Sequence, residues 1–182
     1  MKILIKMCET SSAICTSPIG RLAISYCSQG LHSITQISTI NDQSFLPDMN
    51  ESIEFQQPYD EKDSVLQSCH KWLNDYFHSA TNSLKTPELC PDIISKNDSF
   101  QENVWRTLLN RVPFGQTITY GHLAELAGNK RAARAVGTAM RRNPFQLIVP
   151  CHRVIRSSGQ VGNYAGGERN NVKLWLLKHE QI

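Results

Sequence analysis

Hydrophobic residues recur with two different periods along the chain. Between residues 12 and 37, Leu22 and Ile24 alternate with other residues after the turn-like Ser17-Pro18-Ile19-Gly20, and Ser28-Gln29-Gly30 makes a second turn before Leu31 and Ile34. Alternation broken by turn residues predicts strands. Thr39 to Asp63 is polar, carries Pro47 and Pro58, and reads as a long connector. From Ser64 to His78 the period becomes helical, with Val65, Cys69, Trp72, Tyr76 and Phe77 on one face. Ser79 to Asp98, with Pro87 and Pro91, reads as a linker. Short helices follow. Ser99-Phe100-Gln101-Glu102 is a capping box ahead of Val104, Trp105, Leu108 and Leu109, and Pro113 and Gly115 end that helix. Thr119 caps a helix from Tyr120 to Ala127, which stops at Gly128. Another runs from about Lys130 to Arg142 and halts before Pro144. The last spans Asn170 to His179, with Val172, Leu174, Trp175 and Leu177 expected to be buried. The expected architecture is α+β: a sheet-plus-helix domain over residues 1–97, then a mostly helical domain with a helix-turn-helix over residues 98–182.

Charge divides the chain at the same place. Residues 1–100 carry 12 Asp/Glu against 7 Lys/Arg, and residues 101–182 carry 12 Lys/Arg against 4 Asp/Glu, so a half of net −5 adjoins one of net +8. This points to a polyanionic partner for the second half alone, although a solvated basic face has the same composition. No apolar run approaches the ~18 residues of a membrane span. The start, Met1-Lys2-Ile3-Leu4-Ile5-Lys6, lacks the form of a secretory signal. An intracellular monomer without membrane contact is expected, nuclear in a eukaryote and cytoplasmic in a prokaryote. Cys8, Cys15, Cys27, Cys69, Cys90 and Cys151 are then better read as metal ligands, a nucleophile or buried thiols than as disulfides.

Two segments carry candidate chemistry. The helix with Arg131, Ala132, Ala133, Arg134, Gly137 and Arg141 pairs small side chains with cations, which lets a backbone approach DNA while Arg meets phosphate. An Ala-rich helix packed in a core would look the same. Base-edge readers are nearly absent, so any DNA binding should be largely sequence-independent. In Pro150-Cys151-His152-Arg153-Val154, the adjacent His and Arg are cationic neighbours that favour a thiolate at Cys151, and the apolar run Phe145 to Val149 suggests a buried site. Glu180 can orient His152 if the last helix folds back. A Cys-His pair by itself also fits an inert buried thiol.

Pro150-Cys151-His152-Arg153-Val154 resembles the acceptor motif of the O6-alkylguanine-DNA alkyltransferase family, and the surrounding text agrees in order across residues 99–182. The matching positions are Tyr120, Ala132-Ala133-Arg134-Ala135-Val136-Gly137, Met140-Arg141, Asn143-Pro144, Gly159, Gly162-Asn163-Tyr164, Gly166-Gly167, Trp175-Leu176-Leu177 and His179-Glu180. The resemblance implies irreversible, single-turnover transfer of an alkyl group from O6-alkylguanine, and from O4-alkylthymine, to Cys151, with no cofactor for catalysis. It further implies that His152 takes the thiol proton through a water while Glu180 holds the imidazole, and that Asn143 ties the helix-turn-helix to the acceptor segment. Arg134 would enter the base stack, with Arg141, Ala132 and Ala133 at the DNA. The partner would be double-stranded DNA met through its minor groove, with the base flipped out. Tyr120 would protonate the departing guanine, the carbonyls of Cys151 and Val154 would accept from its amine, and Tyr164 would wall the pocket. Ala165 stands where some relatives have Ser, and Glu168-Arg169-Asn170-Asn171 is longer than in some relatives.

Residues 1–97 resemble the family more loosely, through Ser17-Pro18-Ile19-Gly20, Gln29-Gly30-Leu31-His32 and Trp72-Leu73-Asn74 before Tyr76-Phe77. Some members hold a structural zinc there through two Cys and two His. Cys8, Cys27 and His32 fall on three of those positions, and Cys90 is the nearest candidate for the fourth, which would give one Zn2+ in a Cys3His set. Three rival functions use the same residues: a non-catalytic reader of alkylated bases, a helix-turn-helix regulator sensing alkylation or oxidation at Cys151, and a thiol hydrolase. An acceptor thiol at Cys151 argues against the first.

Overall fold

Three antiparallel strands, β1 (Ser11–Cys15), β2 (Leu22–Cys27) and β3 (Gly30–Gln36), form a meander in the order β1-β2-β3. The structure is a computed structural model and describes residues 8–37, 42–60, 62–79, 85–94 and 99–181. The alternation is realised at Leu22 and Ile24, and Leu31 and Ile34, three residues apart, are buried as well because the β2–β3 register shifts between Ser25 and Tyr26 and leaves His32 unpaired; all four join one apolar cluster with Leu66, Cys69 and Leu73 of the helix above them. That helix, α1 (Ser64–Asn74), is capped by the Asp63 side chain, which accepts from the Leu66 N–H. It does not continue to His78 as an α-helix. Residues Asp75–Ser79 form a π turn instead, with Tyr76 and Phe77 both buried. The wider turn is a device that periodicity alone does not disclose.

Two stretches expected to be loops are partly stitched to the sheet. Phe55 forms an antiparallel bridge with Cys15 at the β1 edge, supported by Thr16 N–H to Glu54 O and Gln56 N–H to Ile14 O, each 2.9 Å. The expected linker, Ser79 to Asp98, bridges Leu89 to Leu31 at the β3 edge. Gly30 makes this approach feasible. Its φ is +144°, and a Cβ there would lie 2.7 Å from Glu88 O and 2.8 Å from Cys90 N. Parts of both expectations, at residues 39–41, 61, 80–84 and 95–98, lie outside the described residues, as does the expected domain boundary.

The second half begins with α2 (Phe100–Arg111), whose first turn is closed by Ser99 Oγ accepting from Glu102 N–H at 3.2 Å. Next come β4 (Ile118–Thr119) and α3 (Tyr120–Leu126), capped by Thr119 as expected. Then α4 spans Ala133–Arg141, starting three residues later than expected. Asn129 explains the delay: its Oδ1 accepts from Arg131 N–H and its carbonyl from Ala132 N–H, so the backbone is spent on a turn. A 3-10 turn (Cys151–Arg153) leads into β5 (Val154–Ile155), which pairs parallel with β4, a small sheet the helical reading did not foresee. A second 3-10 turn (Ala165–Gly167) precedes α5 (Asn170–His179), which has the expected bounds. Its buried face differs from expectation. Leu174 is 49% exposed, and Lys173 is completely buried in its place, because its Nζ donates to Val154 O at 2.7 Å. Among the described residues, no helix is long and apolar enough to cross a membrane.

The acceptor segment is itself docked on the sheet. Ile34 N–H donates to Pro144 O at 2.8 Å and Gln146 N–H to Ile34 O at 2.9 Å, a parallel bridge between β3 and residues 144–146. The free edge of β3 thus holds both Cys90 and the approach to Cys151.

Candidate active site and metal cluster

Cys151 opens the 3-10 turn after Pro150 and forms part of the wall of a pocket of about 170 Å³ shared by Tyr120, Met140, Arg141, Asn143, Gln146, Asn163, Tyr164 and Ala165. The turn is fixed from behind by Asn143, whose Nδ2 donates to Val149 O at 2.8 Å while its Oδ1 accepts from Phe145 N–H at 2.9 Å. Asn143 therefore joins the end of α4 to the acceptor loop, and it also hydrogen-bonds the Cys151 thiol. Burial pushes that thiol above its ordinary value, while hydrogen bonds from Asn143 and Tyr164 and the charge of Lys173 pull it back.

The adjacent cations do not act as the sequence suggested. Arg153 turns away from the sulfur: Nε donates to Glu180 Oε2 at 2.7 Å, Nη2 to Oε1 at 3.0 Å and Nη1 to Val112 O at 2.7 Å. His152 is fully buried, with Nε2 2.7 Å from Glu180 Oε1. Burial lowers its pKa against the pull of Glu180, which favours the neutral ring. Burial also opposes ionisation of Glu180, but His152 and Arg153 outweigh it and hold the carboxyl well below the usual range. An ionised carboxylate accepts, so Nε2 carries the proton and the lone pair lies on Nδ1. Nδ1 has no hydrogen-bond partner among the described residues. Thiolate support comes from the Asn143 hydrogen bond and, as the nearby cation, from Lys173, a residue that sequence reading passed over; the clue was its place between Val172 and Leu176 on a buried helical face.

Tyr164 is buried and hydrogen-bonded to Cys151, with its phenol raised well above the ordinary value by burial and then by the sulfur's charge. Tyr120 is half-buried, and burial raises it as well, so at neutral pH it is a proton donor rather than a phenolate. Ala165 lines the pocket with φ at +47°, unusual for a residue with a Cβ. Val154 is not among the lining residues, and its carbonyl already accepts from Lys173. Segment 168–171 faces the first half rather than the pocket alone: Arg169 Nη1 donates to Gln36 O at 3.0 Å, and Asn171 N–H to Asp42 Oδ1 at 2.6 Å. Around α4, Arg131, Arg134, Arg141 and Arg142 are exposed, Ala132 and Ala133 are half-exposed, and a Cβ on Gly137 would meet nothing within 4 Å.

The sequence of this site has relatives. Residues 99–182 match the family described as 6-O-methylguanine DNA methyltransferase, DNA binding domain, and residues 12–87 its ribonuclease-like domain. The methylated-DNA–protein-cysteine methyltransferase of Rattus norvegicus is 43% identical over 182 residues, covering 97% of this chain and 85% of the relative. The chain belongs to the methylated-DNA–protein-cysteine methyltransferase family. A member from Methanosarcina acetivorans is 34% identical across 92% of this chain and 96% of its own. The structure of Mycobacterium tuberculosis OGT in complex with DNA superposes with a TM-score of 0.69 at 33% identity, covering 92% of this chain and 91% of that one.

Away from the pocket, this methyltransferase-family chain gathers four candidate metal ligands. The Sγ atoms of Cys8, Cys27 and Cys90 and a ring nitrogen of His32 lie within 4.8 Å of one another. Cys8 Sγ is 3.1 Å from His32 Nε2 and 3.8 Å from Cys90 Sγ, and Cys27 Sγ is 3.6 Å from Cys90 Sγ. The hairpin between β2 and β3 supplies Cys27 and His32, and the strip along β3 supplies Cys90. Burial works against ionisation of Cys27, yet hydrogen bonds from Gln29 N–H, His32 and its two cysteine neighbours bring it down to about 7. All six cysteines are free thiols.

Proposed function

We propose that the protein repairs DNA by direct reversal, taking the alkyl group from guanine O6 onto Cys151 once per molecule. The observation that carries this reading is Cys151 in a pocket between two phenols, with a buried carboxylate-bound imidazole beside it in the chain. The thiol proton passes to His152 Nδ1, through a water where the two do not touch. The sulfur then attacks the alkyl carbon, an S–C bond forms and the C–O6 bond breaks. Its electron pair stays with the guanine, which takes a proton from Tyr120 and leaves as a neutral base. Tyr164 and Asn143 hold the sulfur in line. A thioether is a very poor leaving group, so the product is final. The relatives' names and the DNA complex of the Mycobacterium protein support DNA as the substrate. The exposed Arg and small residues of α4 support a close, largely sequence-independent approach to the minor groove, with the base flipped into the pocket. Incubation with O6-methylguanine duplex is expected to add one methyl mass, about 14 Da, at Cys151 and no other cysteine. Cys151→Ala should abolish transfer and keep DNA binding. Several turnovers per molecule, or label elsewhere, would sink the reading.

We infer that Cys8, Cys27, His32 and Cys90 hold one structural zinc. Tetrahedral zinc with bonds of ~2.3 Å to sulfur sets S···S edges of about 3.8 Å, and the two sulfur pairs at 3.6 and 3.8 Å fit that spacing. The group would be structural: it would fasten the chain at residue 8 and at residue 90 to the β2–β3 hairpin and take no part in alkyl transfer.

A further inference from the structure

Five N–H and O–H groups converge on the Glu180 carboxylate, and one belongs to the first half of the chain. Oε1 accepts from His152 Nε2 at 2.7 Å, Tyr76 OH at 2.8 Å and Arg153 Nη2 at 3.0 Å. Oε2 accepts from Arg153 Nε at 2.7 Å and Gly115 N–H at 3.3 Å. Tyr76 stands in the π turn after α1, completely buried, 104 residues before its partner. We propose that Tyr76 is a positioning residue for alkyl transfer: it fixes Glu180 Oε1 and limits how strongly that oxygen holds a proton on His152. The inference rests on Cys151 being the acceptor and His152 its base.

A carboxylate oxygen shares its charge among its donors. Every hydrogen bond from Tyr76 weakens the one left for the imidazole. A base that must first take a proton and later release it works best when it is not over-stabilised as the cation. Burial and then the charge of Glu180 raise the Tyr76 phenol well above its ordinary value, so it remains a donor throughout. The charged and titratable groups around this centre are few. Glu180 faces His152, Arg153 and Tyr76; His152 faces Glu180, Arg153 and Lys173; Tyr76 faces Glu180, Arg153 and Tyr164, with the His179 ring 5.4 Å away. Packing of the Tyr76 ring is separate from its hydroxyl. The ring stacks on Trp72 at 5.2 Å and meets Phe77 and Phe114 edge-on at 5.0 and 6.0 Å, contacts that phenylalanine keeps.

The test is the pH profile of single-turnover transfer from O6-methylguanine duplex, read by intact mass. Tyr76→Phe frees charge on Oε1, raises the basicity of His152, and should move the pH of half-maximal transfer up by about half a unit or more. Replacing Tyr76 with 3-fluorotyrosine, a stronger donor of the same shape, should move it down. Trp72→Phe loosens the same packing without touching the hydroxyl and should leave it in place. A Tyr76→Phe profile that overlays the wild type overturns the proposal, as does a shift of the same sign for fluorotyrosine or an equal shift for Trp72→Phe. If Tyr76→Phe does not fold, the fluorotyrosine protein decides alone. A wild type that transfers nothing refutes the acceptor reading instead, which keeps the two failures apart.

Discussion

Burial of Cys151 beside its pocket opposes its ionisation. The offset comes first from the Asn143 hydrogen bond and then from the charge of Lys173, itself drawn down to about 8 by burial and partly restored by the charge of the sulfur. A thiol whose pKa burial has raised gains thiolate only as pH rises, and a nearby ammonium brings that gain to lower pH. Lys173→Met removes the cation, so the thiol becomes a weaker acid and the transfer profile moves to higher pH. A shift of one pKa unit corresponds to about tenfold slower transfer on the acid side of the profile, with the gap closing in alkali. An unchanged profile in a folded variant would show that Lys173 only props the Val154 carbonyl. Much of this centre was legible beforehand, because Cys151, His152, Asn143, Tyr164 and Glu180 come together as the family motif implied. The charges were not. Adjacency suggested Arg153 as the thiol's cation, yet a side chain's direction depends on the fold, and Glu180 and Val112 capture the guanidinium. Lys173 was missed because a lysine in an apolar helix is ordinarily read as solvated.

The helix-turn-helix shows what sequence pattern can and cannot fix for an element. Thr119 as the cap of α3 and Gly128 as its stop, with φ at +93°, follow from local chemistry that acts wherever these residues occur. The start of α4 was misplaced because Asn129 competes for the backbone through its own turn, and the π turn after α1 was invisible because its residues still bury a continuous face. Exposure along α4 sharpens the role of Arg134. Its side chain is exposed, and it is not among the residues lining the Cys151 pocket, so it is available to DNA rather than to a free base. Arg134→Ala should therefore slow repair of O6-methylguanine in duplex more than about tenfold, while reaction with free O6-benzylguanine stays within about twofold, since only the duplex demands extrusion. Single-turnover rates on the two substrates compare these directly. Equal losses on both would assign Arg134 to the pocket or the fold.

Across the whole molecule, the edge of β3 is the shared support: one part binds the strip bearing Cys90, and another binds the segment leading to Cys151. The charge division read from the sequence survives in a modified form. Arg153, Arg169 and Lys173 are buried among the twelve cations of residues 101–182, and Arg169 spends its charge on the carbonyl of Gln36 in the first half. Long-range pairings of this kind have no local signature, which is why two halves readable one by one did not reveal how they join. The proposed zinc acts at this scale. Its ligands lie at positions 8, 27, 32 and 90, so an ion there closes long loops that an unfolded chain would keep open. Protein purified without added metal is expected to carry about one zinc, with absorption-edge distances of ~2.3 Å to three sulfurs and ~2.0 Å to one nitrogen. Stripping it with a chelator should lower Tm by about 5–10 °C, because a ligand bound only by the folded state is lost. Methyl transfer by the fraction still folded should continue, since no cluster residue lines the Cys151 pocket. Cys90→Ser is the decisive variant, as it spares the hairpin ligands Cys27 and His32 and removes the one clustered ligand carried by the 85–94 strip. Full zinc content and an unchanged Tm in that variant would remove Cys90 from the ligand set. A wild type that is metal-free after gentle purification would leave the four residues a thiol cluster and nothing more.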